Sequence, residues 1–291
     1  MKSLETLRRI RTLVVVAMFS DDVLMHRLVL KGGNLMDLIY DISARSSLDV
    51  DFSIDGDFPD AVDFAVRVEQ SLISTFLEEN YVVFDVRCRE VPPIVSDDLK
   101  DFWGGYKVEF KLISRQQFNG LDGNLDLVRK YAETIGQNGS PKFEIDFSKF
   151  EFWDAKEEYF LDDFRIYGQS PPLFVCEKLR AICQQMDEYR EIVKKHRALR
   201  ARDFVDIYEA ANYYRIDFTS HDFHNILKKT FAAKRVPLGL LGNLNSVRNV
   251  HREDFESVRA TVKPDFPLRE YDFYFDFVLE RCHRLESLWN V

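Results

Sequence analysis

The chain has 291 residues, enough to bury a sizeable core in one large domain or two smaller ones. Its composition, 46% hydrophobic and 31% charged, is that of an ordinary globular protein. The formal net charge of −9 argues against nucleic-acid binding driven by overall charge, although a local basic groove remains compatible with it. The four cysteines lack Cys-x-x-Cys or Cys/His ligand spacing, which excludes a zinc-finger pattern and indicates reduced thiols.

An amphipathic helix is predicted over residues 2–19. Arginines precede its apolar run Leu13–Phe19, as in a signal peptide, but the run is short, acidic residues follow it and no small-residue cleavage site appears. No stretch approaches the length of a membrane span. We therefore expect a cytoplasmic protein without a membrane partner. After the first helix, the sequence predicts a loop or short turn at 20–25 and a strand at 26–30.

The most informative stretch follows that strand. Gly32 and Gly33 have no Cβ, so the backbone can turn sharply there and let a ligand come close. Apolar residues between 35 and 42 recur at helical spacing and predict a short helix after the turn. The free N–H groups at the start of such a helix favour an anion.

Residues 48–54 alternate strictly between apolar and polar side chains, which predicts a strand. A period of two places Asp49 and Asp51 on one face. Adjacent carboxylates repel each other unless a cation lies between them, and Mg²⁺ prefers oxygen ligands. The alternative is a solvent-exposed strand with acidic residues facing water. The preceding Gly-Gly turn favours a divalent-metal platform beside a phosphate-binding turn.

A Gly-Gly turn, a helix and Asp-x-Asp on a strand together resemble the signature of the nucleotidyltransferase superfamily. The closer resemblance is to its AbiEii/AbiGii toxin family, which carries Lys-Gly-Gly-Thr and Arg-x-Ser-x-Asp-x-Asp-Phe. The matching positions here are Lys31, Gly32, Gly33, Asn34, Arg45, Ser47, Asp49, Asp51 and Phe52. The resemblance implies nucleotide binding by residues 31–34, Arg45 and Ser47, and catalytic metal binding by the two aspartates. Asn34 departs from the Thr or Ser of the family.

The next elements complete an α/β or α+β core. Asp60 is a good N-cap for a helix over about 61–79. One buried face is predicted for it, formed by Val62, Ala65, Val66, Val68, Leu72, Ile73, Phe76 and Leu77. Strands are predicted at 81–88, 106–113 and 142–152. The superfamily places a third carboxylate on a strand beside Asp-x-Asp, which implies catalytic and metal-binding roles for Asp146, with Glu109 as the alternative. By pattern alone, either could be a solvent-facing side chain.

Pro171-Pro172 predicts a boundary between a core over 1–168 and a C-terminal helical domain over 169–291. A lysine on a helix such as 173–183 is more often a surface residue, but Glu-Lys-Leu-Arg-Ala around Lys178 resembles the third family motif, whose lysine faces the triphosphate. Arg-Asp-x-x-Asp-x-Tyr at 202–208 resembles the fourth motif. This resemblance implies an active-site role for Asp203, or alternatively for Asp206. Without it, the spacing alone would indicate acidic residues that offset the dipole at the start of a helix.

The predicted fold class is therefore α+β, with a nucleotidyltransferase-like mixed β-sheet flanked by helices and followed by a C-terminal helical domain. The later helices are predicted at 220–233, 251–262 and 269–288. That second domain contributes Lys178 and Asp203 to the expected site.

The resemblance implies a toxin of a bacterial toxin–antitoxin or abortive-infection (phage defence) system, paired with a separately encoded antitoxin. The implied reaction transfers NMP from an NTP to an RNA acceptor, tRNA in some members, with Mg²⁺ or Mn²⁺ as cofactor and pyrophosphate as product. A small molecule or a protein side chain is the alternative acceptor, and a non-catalytic binding module is the alternative class. One set of basic residues has two interpretations, a groove that contacts the phosphates of the acceptor or a solvated helical face. The set comprises residues 194–202, Lys228, Lys229, Lys234 and Arg235.

Overall fold

The computed structural model describes residues 4–43, 49–134, 139–194, 197–263 and 265–289. The chain divides into two compact units that interleave along the sequence. The first contains residues 1–39, 47–150 and 157–168, and the second contains 40–46, 151–156 and 169–291. Two short segments that precede residue 168 thus belong to the second unit. No helix within the described ranges is both long and apolar enough to span a bilayer.

The first unit combines a sheet with helices. Its elements are α1 (Leu4–Ser20), α2 (Asp22–Arg27), β1 (Leu28–Lys31), α3 (Gly32–Asn34), β2 (Val50–Ile54), α4 (Ala61–Glu78), β3 (Tyr81–Val91), β4 (Gly105–Ser114), α5 (Arg115–Asn119), α6 (Leu125–Lys130), β5 (Phe143–Ser148), β6 (Lys156–Leu161) and β7 (Phe164–Gln169). A turn of π-helix, Leu35–Tyr40, continues α3. This is the predicted α+β class, built on a mixed sheet flanked by helices.

Seven strands form one sheet in the order β3-β4-β5-β2-β1-β7-β6. The pairs β2–β5 and β1–β7 are parallel, whereas β1–β2, β4–β5 and β3–β4 are antiparallel. The centre of the sheet is therefore β5-β2-β1, and the predicted Asp-x-Asp strand lies between the other two. Residues on either side of β2 can approach the same point on the sheet face.

One face of the sheet is apolar and carries the core. Phe52 on β2 stacks on Phe147 of β5 with ring centroids 5.4 Å apart, and Phe64 of α4 meets Phe147 edge-on at 5.1 Å. Asp60 begins α4 by accepting from the N–H groups of Val62 and Asp63, as its N-cap position predicts. Helix α1 packs against α4, and its apolar run Leu13–Phe19 is entirely buried.

Several elements of the first unit were not predicted, among them the short helices α5 and α6. The segment expected to be a loop or short turn contains α2, which Asp21 caps by accepting from the N–H of Leu24 at 2.9 Å, so His26 is helical and β1 begins later, at Leu28. The strands β6 and β7 were missed altogether. β6 lies at the edge of the sheet and is mostly exposed, so its charged sequence lacks the apolar alternation from which strands are recognised.

The second unit is helical. Its elements are α7 (Pro171–Cys183), α8 (Asp187–Ile192), α9 (Ala201–Tyr213), α10 (His221–Ala233), a 3₁₀ segment Leu238–Val247, α11 (Arg248–Arg252), α12 (Phe255–Thr261), α13 (Tyr271–His283) and α14 (Glu286–Trp289). The predicted helix at 220–233 is present, with Ser220 as its N-cap. The predicted helices at 251–262 and 269–288 are each divided in two, because turns around residues 253 and 284 interrupt the periodic pattern.

Candidate active site

Four charged residues lie in one row across the first unit's sheet. The strand register aligns Lys107 of β4 with Asp146 of β5, Asp146 with Asp51 of β2, and Asp51 with Lys31 of β1. Directly paired residues project from the same face of a sheet. Two carboxylates on adjacent parallel strands, about 4.8 Å apart in the hydrogen-bonding direction, are thus flanked by one lysine on each side.

The Gly-Gly turn lies directly against Asp51. Gly32 has φ = +70°, and a Cβ at this position would come within 2.8 Å of Asp51 Oδ2. Both observations favour glycine, first because L side chains rarely adopt this backbone conformation and second because a Cβ would force the Asp51 carboxylate to shift. Gly33 follows in α3. The turn therefore brings bare backbone to the Asp51 carboxylate, as expected for close approach of a ligand.

Asn34 is fully buried and both ends of its amide are hydrogen-bonded. Oδ1 accepts from Arg11 Nη1 at 3.1 Å, and Nδ2 donates to the backbone carbonyl of Asp49. Arg11 is itself buried and pairs with Asp37 at 2.9 Å. The side chain of Asn34 thus connects α1 to the residue that precedes β2, and it supports the backbone that carries Asp49.

Asp146 and its alternative Glu109 occupy different surroundings. Asp146 aligns with Asp51, whereas Glu109 lies one strand further away and pairs with Arg89 at 3.3 Å and Lys142 at 3.1 Å. These two cations hold the pKa of Glu109 below its usual value despite partial burial, with the Lys142 hydrogen bond contributing most. Position on the sheet therefore favours Asp146 as the partner of Asp51.

A divalent cation would find only oxygen donors here. Asp51 and Asp146 are adjacent, Gly32 leaves the Asp51 carboxylate unobstructed by any Cβ, and carboxylates are the ligands that Mg²⁺ and Mn²⁺ prefer. In the conformation described for residues 4–43, 49–134, 139–194, 197–263 and 265–289, no group of three or more His, Cys, Asp or Glu side chains is arranged to hold a metal ion. Asp146 instead contacts Lys107 Nζ at 3.3 Å. The oxygen ligands at this site suit a divalent cation, but the third carboxylate, Asp146, is paired with Lys107.

Two predicted nucleotide contacts, Arg45 and Ser47, lie outside the described residues. Of the remaining positions in that motif, Lys31 and Gly32 lie beside Asp51 on the sheet. Lys31 ends β1 and immediately precedes α3. Lys31, Gly32 and Asp51 of the first motif therefore lie together, whereas Phe52 lies on the opposite, apolar face of the sheet.

Lys178 lies within the second unit between two carboxylates. Its Nζ is 2.8 Å from Asp203 Oδ1 and 2.7 Å from Asp206 Oδ2, and these three side chains are all nearly buried. Burial alone would raise the pKa of Asp203, but the charges of Lys178 and Arg200 outweigh it and hold that pKa well below the usual range. The two aspartates of the predicted fourth motif, Asp203 and Asp206, thus both contact Lys178 of the predicted third motif.

The predicted basic groove loses one of its members. Lys234 is buried and lies 3.6 Å from Glu151, which also accepts from Arg180 at 3.0 Å. Arg197 is bound to Asp187 and to the carbonyl of Gln185. Among the described residues of this set, the basic side chains that remain exposed are Lys194, Arg202, Lys228, Lys229 and Arg235.

Sequence reasoning missed two charged residues at this site. Lys107 gave a weak signal, since it lies two residues before Glu109 on a strand whose partner was unknown. Arg11 was noted only as part of a basic N-terminal cluster. Its function as a partner of Asn34 and Asp37 depends on the packing of α1, and local pattern could not reveal it.

Comparison with known proteins identifies the family. The sequence model described as "Nucleotidyl transferase AbiEii toxin, Type IV TA system" matches residues 14–280. No curated protein matches the chain significantly. A candidate nucleotidyltransferase from Helicobacter pylori is similar in structure at 13% identity and TM-score 0.49, over 99% of this chain and 98% of the other.

The protein JHP933 from Helicobacter pylori is similar at 14% identity and TM-score 0.48, over 98% of this chain and 94% of the other. An antigenic nucleotidyltransferase-like protein from Paracoccidioides brasiliensis follows at 13% and 0.34, over 80% and 94%. At these scores the assignment depends on the family match, which covers most of the chain and confirms the resemblance found in the motifs. The chain belongs to the AbiEii family of nucleotidyltransferase toxins of type IV toxin–antitoxin systems.

Proposed function

We propose that the chain transfers a nucleoside monophosphate from an NTP to an RNA acceptor, with tRNA as the first acceptor to test, and releases pyrophosphate. The observation that carries this proposal is the alignment of Asp51 with Asp146 on adjacent parallel strands, beside the Gly32 turn. Such a pair costs electrostatic energy unless a cation compensates it. A site that keeps this pair next to bare backbone is suited to a metal-bound triphosphate.

Asp49 and Asp51 would hold one divalent cation, and Asp146 would offer its carboxylate to a second. When bound, Mg²⁺ or Mn²⁺ neutralises phosphate charge and lowers the pKa of an acceptor hydroxyl. The protein then has to position the reactants, since phosphoryl-group transfer depends mainly on alignment and charge stabilisation. The backbone at Gly32 and Gly33, which carries no Cβ, would contact the phosphates.

Lys178 would pair with the β- and γ-phosphates. Its ammonium is held by Asp203 and Asp206 within 2.8 Å, so its position is fixed before any nucleotide arrives. A preorganised cation contributes more to catalysis than one that must be ordered during the reaction. The two aspartates would therefore act as positioning residues for Lys178.

The exposed basic residues of the second unit support an RNA acceptor. Lys194, Arg202, Lys228 and Lys229 are exposed and can each contact a backbone phosphate. Type IV toxin–antitoxin membership further implies a separately encoded antitoxin as the biological partner.

The test is NTP-dependent labelling. Purified protein with Mg²⁺ is incubated with each α-³²P-labelled NTP and total RNA, and the products are separated by size. Asp51→Asn should reduce labelling at least about 100-fold, because one isosteric change removes a charge that stabilises the transition state. Asp126→Asn is the matched control, since that side chain is 97% exposed on α6, and it should label at the wild-type rate.

Labelling that persists in Asp51→Asn would refute the proposed site. Label that migrates with a small molecule or with a polypeptide would refute the RNA acceptor while retaining the nucleotidyltransferase reaction.

A further inference from the structure

Lys107 forms an ion pair with Asp146, the predicted third carboxylate. Its Nζ lies 3.3 Å from Asp146 Oδ1 and 2.8 Å from Glu144 Oε2. The strand register fixes this arrangement, because Lys107 is the direct cross-strand partner of Asp146. The ammonium is thus placed on the side of Asp146 opposite Asp51.

Glu144 keeps Lys107 in this position. It precedes Asp146 by two residues on β5, so both carboxylates project from the same face toward β4. The Lys107 side chain is 20% exposed, and its ammonium is bracketed by the carboxylates of Glu144 and Asp146, which hold it in place.

We propose that Lys107 is the resident counter-ion of Asp146, so that the chain loaded with nucleotide holds one tightly bound divalent cation, at Asp49 and Asp51, and binds a second only weakly. This inference rests on the proposed function, since it assumes cation binding at the aspartate pair.

The physical reason is competition at one carboxylate. A divalent ion bound to Asp146 would lie within a few ångströms of the Lys107 ammonium and would be repelled by it. A second cation can therefore bind only by displacing the ammonium from Asp146, at the cost of that ion pair.

Metal stoichiometry tests the proposal directly. The probe is Mn²⁺, titrated into the chain with each of the four α,β-imido-NTPs, which bind without reacting, and free Mn²⁺ is measured by electron paramagnetic resonance. Wild type should bind one Mn²⁺ tightly per chain. Lys107→Met should bind two, with the affinity of the second site raised by at least about fivefold.

Three variants serve as controls. Lys111→Met removes another β4 lysine of equal exposure, which pairs with Asp85 at 2.9 Å, and should still bind one Mn²⁺. Lys107→Arg keeps the charge and should also bind one. Asp146→Asn added to Lys107→Met should return the count from two to one, which shows that the gained ion uses Asp146.

The possible outcomes separate the two proposals. Two tightly bound ions on the wild type, or one on a folded Lys107→Met protein, would overturn the inference and leave the proposed function standing. Absence of Mn²⁺ binding from wild type and every variant would instead overturn the cation dependence of the proposed function, and the inference with it.

Discussion

Asn34 replaces the Thr or Ser of the family motif with a side chain that has a donor and an acceptor at its tip. The two ends bridge Arg11, which is 23 residues earlier, and the carbonyl of Asp49, which is 15 residues later. A hydroxyl is too short to span both partners. The sequence could reveal the departure from the motif but not its purpose, because that depends on a residue in α1.

Removing the Asn34 amide should destabilise the protein. Asn34→Ala leaves the buried Arg11 guanidinium and the Asp49 carbonyl with one partner fewer, which should cost about 1–3 kcal/mol of unfolding free energy in urea titrations. Asn212→Ala, at an exposed position of α9 where the amide bonds the carbonyl of Tyr208, should cost less than about 0.5 kcal/mol. Equal losses in the two variants would contradict the bridging function.

His251 gives the fold a specific pH dependence. It is fully buried against Phe204 and accepts from the backbone N–H of Arg200 through Nδ1 at 3.2 Å. Burial lowers its pKa to about 4 although the charge of Asp203 partly opposes this shift. The imidazole is therefore neutral in the folded protein at pH 7.

Lowering the pH should destabilise the fold through His251. The unfolded chain protonates this residue below its ordinary pKa near 6.5, whereas the folded chain does so only near 4, so stability is lost as the pH falls between these values. At pH 5 the contribution is about 2 kcal/mol relative to pH 7.5. Urea unfolding of His251→Gln should show a shallower loss over this range. His221→Gln, at a side chain that is 95% exposed, should follow the wild type, and coincident curves for all three proteins would refute the assignment.

Among the elements, α4 shows where periodicity stops being informative. The sequence predicts one buried face that includes Val62, Val66, Ile73 and Leu77, but the structure exposes these four side chains. Three predicted residues, Val68, Leu72 and Phe76, are buried as expected, and the stripe is completed by Phe64, Ser71 and Thr75. Apolar residues cover more than half of the helix circumference, so helical spacing allows two stripes and only the position of the sheet selects one.

Neighbouring residues on α4 should respond very differently to truncation. Leu72 is fully buried, and Leu72→Ala should cost about 2–5 kcal/mol of unfolding free energy because it leaves a cavity. Ile73 is 42% exposed, and Ile73→Ala should cost about 0.5 kcal/mol or less. Chemical denaturation of the two variants measures both values. A larger loss for Ile73→Ala than for Leu72→Ala would contradict this assignment of the buried stripe.

The sheet similarly resolves what the strand patterns left open. Asp146 and Glu109 lie on strands of equally clear alternation, and no local feature states which strand neighbours β2. The order β4-β5-β2 places Asp146 beside Asp51 and Glu109 one strand further away. Motif spacing could therefore nominate both carboxylates, whereas strand pairing, a long-range property, distinguishes them.

At the scale of the whole molecule, the boundary predicted from Pro171-Pro172 marks only one of several crossings between the two units. Residues 40–46 and 151–156 belong with the helical unit although they precede the proline pair. Composition and turn signals locate the last crossing, because a proline pair interrupts regular structure there. The earlier crossings have no such signal, since their assignment depends on contacts made far along the chain.

Glu151 explains why one of those early segments belongs to the helical unit. Its carboxylate is 3% exposed and pairs with Arg180 at 3.0 Å and with Lys234 at 3.6 Å. Burial alone would lower the pKa of Arg180, but the charges of Glu151 and Glu177 raise it above its ordinary value. Two buried cations from α7 and the end of α10 thus depend on a residue that lies 29 positions before Arg180.

Removing this carboxylate should therefore destabilise the second unit far more than removing a surface ion pair. Glu151→Ala removes the buried counter-ion of Lys234 and leaves Arg180 with Glu177, at 2.7 Å, as its carboxylate partner, which should cost about 3 kcal/mol of unfolding free energy, the lower end expected for breaking a buried ion pair. Glu158→Ala is the matched control, because that glutamate also pairs with an arginine, Arg165 at 3.5 Å, but is 44% exposed, and its loss should cost less than about 1 kcal/mol. Urea titrations monitored by far-ultraviolet circular dichroism compare the two. Similar stabilities for both variants would mean that the helical unit does not need the segment 151–156. A single boundary at residue 168 would then describe the chain as well as the interleaved division does.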